Sequence, residues 1–469
     1  MQAPIYQDLA DSVEATVRSG MYAEGDRMPS IRGFSQERGV SISTSVRTFH
    51  ELERRGVVRA APRSGYFAVA PDESAELPAA ARISAQPMLA RGGAEILKLL
   101  EASQDPGVMD FATARPAMDM IPDRELQRAS RQVWKVDRRR SMALSFPPGI
   151  EALRVQVAKR LAKVDCRISP DELIITQGCQ AAIALALRLL TEPGDIVAVE
   201  APTHYGILEL LEQLGLKALP IPTDPAYGIS MNALELACQQ WPVKAFIVVP
   251  HFSNPLGYCM YDVCKQRIVD VARRYDVAVI EDDVFGELRE NHQRPSPVKC
   301  WDHEGHVYYC GSVSKTFGSG FRVGWLSVPP DRMQQAREVQ YAHTVTVDVH
   351  AQLVTAELLK NTNIDRFLNH ASAEYNRRTA TMARRVEDSF PIGTRISRPR
   401  GGYLLWVELS GCDDTASVLD EALSHGVAFA PGGLFTVDQQ FKNCLRLNAC
   451  EFNTRAAEKA LFQLARLLS

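Results

Sequence analysis

Long uncharged apolar runs are missing from this chain of 469 residues. No stretch approaches ~20 residues without a charge, so nothing reads as a membrane span. Its ten cysteines include no C-x-x-C pair and no framework spacing, and no secretory signal opens the chain. The expected setting is therefore a reducing cytoplasm. Internal repeats and low-complexity tracts are also missing. His292, His303 and His306 share a loop but show no flanking carboxylate or cysteine arrangement with metal-ligand spacing, so no metal site is expected. Charge of either sign is nearly balanced, with a formal net of −3, so any basic surface must be local.

What is present divides in two, because 469 residues exceed what one core usually organises. Ile5, Leu9, Val13 and Val17 recur at four-residue intervals and predict a helix from Pro4 to Gly20. Pro29 and Ser30 are start signals for a second helix, and Gly39-Val40-Ser41 reads as a turn. Ser41 to Arg55 reads as a third helix with Val46, Phe49 and Leu52 inward, and Gly56 stops it. Two short strands around Pro62-Arg63-Ser64-Gly65 complete a winged helix-turn-helix over residues 1–70, a fold whose third helix can lie in the DNA major groove. Residues 1–26 hold one arginine against five acids, whereas 27–63 hold eight against three. This places the basic charge on the presumed reading face. Arg32, Arg47 and Arg63, with Ser30, Ser43 and Thr44, are the candidate contacts to double-stranded DNA. A winged helix used for protein contact is the alternative.

Residues 71–86 mix Pro, Ala and charge without apolar periodicity and read as a linker. From 87 to 469, strands alternate with helices, which predicts an α/β domain with a mostly parallel sheet; a smaller α+β part begins at about 390. Within it, Ser312-Val313-Ser314-Lys315 precedes Arg322 by seven positions from the lysine. A lysine amine can condense with an aldehyde, while Ser312, Ser314 and Arg322 can hold a phosphate, Arg322 through two parallel hydrogen bonds. The bland alternative is a surface loop with a solvated lysine. Gly178, Cys179 and Gln180 join an apolar strand to a helix start, which presents free N–H groups to a phosphate. Asp282, at the end of another strand, can pair with a pyridine nitrogen and keep it protonated.

In this order the segments resemble a fold-type I aminotransferase-like domain, which implies pyridoxal phosphate as cofactor. The resemblance further implies that His204 or Tyr205 covers the cofactor ring, and that Asn254 of Asn254-Pro255-Leu256-Gly257 bonds its phenolic oxygen. It also implies that Arg446 clamps the α-carboxylate of a substrate or effector. Pro29 through Gly65 resembles the GntR family, and head and body together resemble the MocR-type regulators over essentially the whole chain. The departures are Ile42 where many members start the recognition helix with arginine, and Phe285 where a tyrosine hydroxyl would bond the phenolic oxygen. His204 stands for the usual Tyr or Phe, and Phe146 for a tyrosine that often reaches the partner subunit's phosphate. A lost charge-assisted hydrogen bond is worth roughly 1.5–3 kcal/mol, enough to retune a lysine-linked cofactor without abolishing its binding. The expectation is a homodimeric transcriptional regulator that senses pyridoxal phosphate or an amino acid or amine effector. The alternative is a working aminotransferase, moving an amino group from an amino acid to a 2-oxo acid.

Overall fold

The structure is a computed structural model and describes residues 5–18, 22, 26–54, 57–61, 65–68, 77–79, 86–89, 94–289, 293–360, 363–438 and 440–468. The chain forms two compact units, Met1–Glu76 and Leu77–Ser469.

The first unit contains helices Ile5–Arg18, Ile31–Arg38 and Ile42–Arg54 and an antiparallel hairpin of Val58–Ala61 with Gly65–Ala68. The first helix buries Ala10, Val13 and Val17. Ser30 caps the second helix, its hydroxyl accepting from the Gly33 N–H at 3.1 Å, so that helix starts after the Pro-Ser pair and not within it. Gly39, at φ 63°, ends it in the left-handed conformation that costs glycine least. On the third helix, Phe49 and Leu52 point inward as expected, but Val46 is only half-buried. Ser45 and Thr48 are buried in its place. They satisfy their hydroxyls on the Ser41 and Thr44 carbonyls, at 3.2 and 3.0 Å, so each can be buried without an unpaired donor. Phe49 is the centre of this core, edge-on to Phe34 at 5.2 Å and stacked on Tyr66 at 4.9 Å.

The second unit is built on a sheet with nine strands among the described residues. Its middle five, in the order Lys217–Asp224, Ile196–Ala201, Val243–Val248, Ala278–Asp282 and Val307–Ser312, are parallel. Gly324–Ser327 then runs antiparallel between Val307–Ser312 and Leu173–Thr176. These strands read as continuous Val/Ile/Ala runs because helices cover both faces, leaving no solvent side to encode. A second, antiparallel sheet orders Arg395–Ile396, Leu404–Glu408, Cys444–Asn448 and Ala430–Pro431. It begins close to the expected start of the smaller part and pairs Trp406 with Arg446. Within the presumed linker, the Ala79 N–H donates to Glu408 at 2.7 Å, while 71–76 and 80–85 lie outside the described residues. Among the described residues no helix is long and apolar enough to cross a membrane.

Phe49→Ala removes the ring on which all three helices and the hairpin converge. It should cost the first unit about 3–5 kcal/mol. Hydrogen exchange on the intact chain should show that loss in the Ile42–Arg54 helix with the large sheet unchanged; undiminished protection of the helix would contradict this packing.

Candidate functional site

The carboxyl ends of the parallel strands and the start of the Cys179–Leu190 helix surround one open cleft of about 660 Å³. Ligands of open α/β sheets collect at that edge because the loops leaving it diverge. Cys179, Gln180, His204, Asn254, Asp282, Ser314, Lys315 and Arg322 all line it. The sequence-chosen residues that do not line it are Gly178, Tyr205, Ser312 and Arg446, which contact the lining residues Arg322, His204, Ser314 and Asn254 respectively.

At one end is an anion cradle. Gly178 has φ 87°, and a Cβ there would come within 2.7 Å of an Arg322 guanidinium nitrogen. The glycine is required both for its backbone angle and for the arginine's space. Arg322 Nη2 donates to the Gln177 carbonyl at 2.8 Å, and its Nη1 lies 3.5 Å from the Ser314 hydroxyl. The first N–H groups of the Cys179–Leu190 helix open into the same space, where the helix dipole favours a negative group. Ser312 takes an indirect part. Its hydroxyl donates to the Val323 carbonyl at 2.8 Å and accepts from the Ser314 N–H at 3.1 Å, so it orients Ser314.

At the other end, Asp282 is buried, and its two hydrogen bonds, from the Cys179 thiol at 3.0 Å and the Val284 N–H at 3.1 Å, both fall on Oδ1. Burial pushes this carboxyl above its ordinary value. Burial and then the Asp282 charge push the Cys179 thiol well up, so it stays protonated and donates. A carboxylate held this way gains most from a cation supplied at Oδ2, which is what a protonated pyridine nitrogen offers. A phosphorylated pyridine aldehyde therefore fits the residues present: phosphate at the cradle, ring nitrogen at Asp282 and aldehyde towards Lys315.

Lys315 Nζ donates to the Ala114 carbonyl at 2.6 Å and sits 5.5 Å above the Phe285 ring. Burial, then the Arg446 charge, lower its pKa to about 8, with Asp282 opposing them. Its amine is thus a usable nucleophile near neutral pH. His204 caps its helix by accepting from the Gly206 N–H at Nδ1, 2.8 Å away. Burial, then Arg446 and Lys315, lower its pKa to about 3, so the imidazole is neutral with its proton on Nε2. Tyr205 stacks on His204 at 4.6 Å and leans on Phe435.

Arg446 is fully buried, and among the described residues no carboxylate lies within ion-pair distance of it. Nη1 donates to Asn254 Oδ1 at 2.9 Å, Nη2 to the Ala112 carbonyl, and Nε has no partner. These bonds use two of the five guanidinium N–H groups, so the Nε–H and one N–H on each terminal nitrogen remain to meet a carboxylate. Asn254, its oxygen taken by Arg446, has its amide NH₂ left to offer.

Three supports escaped the sequence reading. Tyr403 is fully buried, edge-on to Phe285 at 5.6 Å, with its hydroxyl 3.3 Å from the same Ala114 carbonyl that holds Lys315. Glu200 accepts from Tyr258 and, at 3.4 Å, from Ser253, and burial lifts its pKa to about 8. Asp283 is gripped by His251 at 2.5 Å, Tyr309 at 2.8 Å and Arg294 at 3.1 Å. Only the run of acids Glu281-Asp282-Asp283 could have flagged the last of these.

In the first unit, Arg32, Ser43 and Arg47 are exposed and Thr44 is half-buried. Ser43 and Thr44 hydroxyls each sit 2.8 Å from the Ser41 hydroxyl. The Ser30 hydroxyl serves as a helix cap. Arg63 lies outside the described residues.

Comparison with known proteins places these features. Residues 107–464 match the family "Aminotransferase class I and II". The HTH-type transcriptional regulator YdcR of Escherichia coli is 35% identical, covering 99% of this chain and 98% of its own. YjiR, another HTH-type regulator of E. coli, is 33% identical over 98% and 97%. The crystal structure of Pyrococcus horikoshii kynurenine aminotransferase is 27% identical with a TM-score of 0.74, covering 81% of this chain and 95% of that one.

Modification of Lys315 by an amine-selective reagent, followed against pH in cofactor-free protein by mass spectrometry, should show a midpoint near pH 8. Removing the like charge in Arg446→Leu should raise the midpoint, and removing the opposite charge in Asp282→Asn should lower it. A wild-type midpoint at the ordinary lysine value of 10.5, or shifts of the reverse sign, would contradict this site.

Proposed function

Because the chain belongs to the aminotransferase class I and II family, and within it to the MocR-type HTH transcriptional regulators, we propose that it binds operator DNA and senses an effector with its aminotransferase-like unit. The effector is pyridoxal phosphate itself, or an amino acid or amine captured at it. One observation supports this reading most. The residues for holding the cofactor, Lys315, Asp282, Ser314 and Arg322, share one cleft, while Phe285 supplies an apolar ring where catalysis is helped by a hydroxyl.

Pyridoxal phosphate supplies an aldehyde carbon that amines attack and a ring that withdraws electrons. Around it, Arg322, Ser314 and the helix N–H groups hold the phosphate, and Asp282 keeps a proton on the ring nitrogen. Lys315 presents a neutral amine over a substantial part of its population near pH 8. His204, neutral because burial lowers its pKa to about 3, would cover the ring without adding charge. Arg446, through the N–H groups it has left over, and the Asn254 amide orient an incoming carboxylate, and these added contacts favour a bound state over the free one.

The protein works as a homodimer on this reading. Met142, Leu144 and Phe146 are 76%, 65% and 54% exposed in one short stretch, beside exposed Tyr341, an apolar area that a second copy would cover. With ten free cysteines, it suits the reducing cytoplasm.

A working aminotransferase is the second reading, favoured by the completeness of the cofactor set. DNA separates the two. The regulator binds duplex from its own promoter region, and Arg47→Ala flattens the plot of log affinity against log salt by about 0.9 if the arginine meets a phosphate. If it meets a base instead, the variant relaxes sequence preference by ~1–3 kcal/mol. Cofactor absorbance stays unchanged in either case. Turnover of ~1–1000 per second with indifference to that DNA would sink the regulator reading.

Arg446 separates effectors. Arg446→Leu should weaken the absorbance response to amino acids far more than to simple amines. Equal loss for both classes would mean the effector carries no carboxylate.

A further inference from the structure

The Asp123–Val136 helix packs Leu126, Ala129 and Val133 into the core. Its opposite side carries Arg124, Arg128, Arg131 and Lys135, all exposed. At 3.6 residues per turn these four positions lie within about 60° of one another and form a straight stripe roughly 16 Å long. The next helix, Arg138–Ser141, adds exposed Arg138, Arg139 and Arg140. Residues 123–140 thus hold seven cations against three acids in a chain whose net charge is −3. None of the seven has a carboxylate within ion-pair distance among the described residues. Elsewhere on this unit several arginines are matched: Arg267 with Glu235, Arg273 with Asp270, Arg377 with Glu374 and Arg385 with Glu458. An unmatched stripe of seven like charges within 18 residues repels itself and favours an anionic partner.

We propose that this stripe is a second DNA-binding surface, on the aminotransferase-like unit, which grips the phosphate backbone of duplex flanking the sequence read by the winged helix. Charge complementarity favours duplex DNA. Its phosphates present one charge per roughly 1.7 Å of axis, so a 16 Å rigid stripe faces a matching array. Arginine and lysine ends alone carry no base-reading pattern, so the contact adds affinity without adding sequence preference. An anionic membrane fits less well, because the helix has buried its apolar stripe of Leu126, Ala129 and Val133 in the fold and leaves only Trp134 and Val136 exposed to insert.

The inference rests on the regulator reading, and the test separates the two. Full-length protein is titrated with a short duplex holding only the promoter sequence protected by the head, and with the same duplex extended by unrelated sequence on both sides, across a salt series. The wild type should bind the extended duplex with the steeper salt slope. R124Q/R128Q/R131Q/K135Q should bind the short duplex unchanged and lose the extra slope on the long one, by about 0.9 for each phosphate contact removed. The corresponding variant with lysine at 124, 128 and 131 should keep it. If the quadruple variant unfolds, as judged by lost cofactor absorbance, R128Q/R131Q reads the same difference at about half its size. Equal slopes on both duplexes for the wild type, or an extra slope that survives in the variant, overturn the stripe while leaving the regulator reading intact. Failure to bind either duplex overturns both. Binding of phosphatidylserine vesicles by the wild type but not the variant, with equal DNA slopes, would reassign the surface to membranes.

Discussion

Two neighbouring carboxylates are buried at the end of one strand, and the protein neutralises only one of them fully. Asp283 turns to one side and meets His251, Tyr309 and Arg294. Burial works to raise its pKa, but His251, through its hydrogen bond, and the Arg294 charge outweigh it and hold the group ionised. Asp282 turns to the cleft, receives a thiol and one N–H, and remains raised. A buried carboxylate without a cation is expensive, so the site is built around a positive group that a ligand brings. Arg446, bonded to Asn254 of the cleft lining, mirrors this as a buried guanidinium whose Nε is unpartnered and whose pKa burial lowers. One group lacks a cation and the other lacks an anion. A zwitterionic occupant, held at both, relieves the two deficits together.

That architecture also explains what was legible in the chain. Phosphate and aldehyde chemistry admit few residue types, so Asp282, Ser314, Lys315 and Arg322 stand out at their strand ends and do meet in the cleft, with Gly178 against Arg322. Supports that work by hydrogen bonding to backbone or by filling space leave no such mark. Tyr403 reaches Ala114 across 289 residues of sequence, and any large residue at that position would have looked equally reasonable. Ser312 looked like a phosphate ligand because a hydroxyl is the same letter whether it faces a ligand or a carbonyl. In the head, apolar periodicity identified Phe49 and Leu52 but chose Val46 over Ser45 and Thr48, since hydroxyls that bond back to their own helix are invisible to a hydrophobic count. Ser30 shows the same ambiguity, its hydroxyl capping a helix where the letter alone suggested a DNA contact.

The surface divides along similar lines. Arg273 and Arg377 of the large unit each pair with an acid three residues away on their own helix, a spacing that serves local solubility. The Asp123–Val136 helix breaks that habit: its acids, Asp123 and Glu125, sit at its start, where they suit the helix dipole, and the cations run on alone. Pattern at this level is readable from sequence once the buried face of the helix is known, and ambiguous before that.

Gly178 and Arg322 share one volume, since the guanidinium occupies the place where a side chain at 178 would begin. Arg322 is itself held at φ 51°, a left-handed angle that few residues other than glycine and asparagine tolerate. For a lineage of such proteins this makes loss of the phosphate cradle hard to reverse. A residue with a side chain at 178 displaces the arginine, and once position 322 has drifted, restoring the glycine alone restores nothing. Descendants that abandon the cofactor at this place would have to regain two residues at once to recover it, so the step away acts as a ratchet.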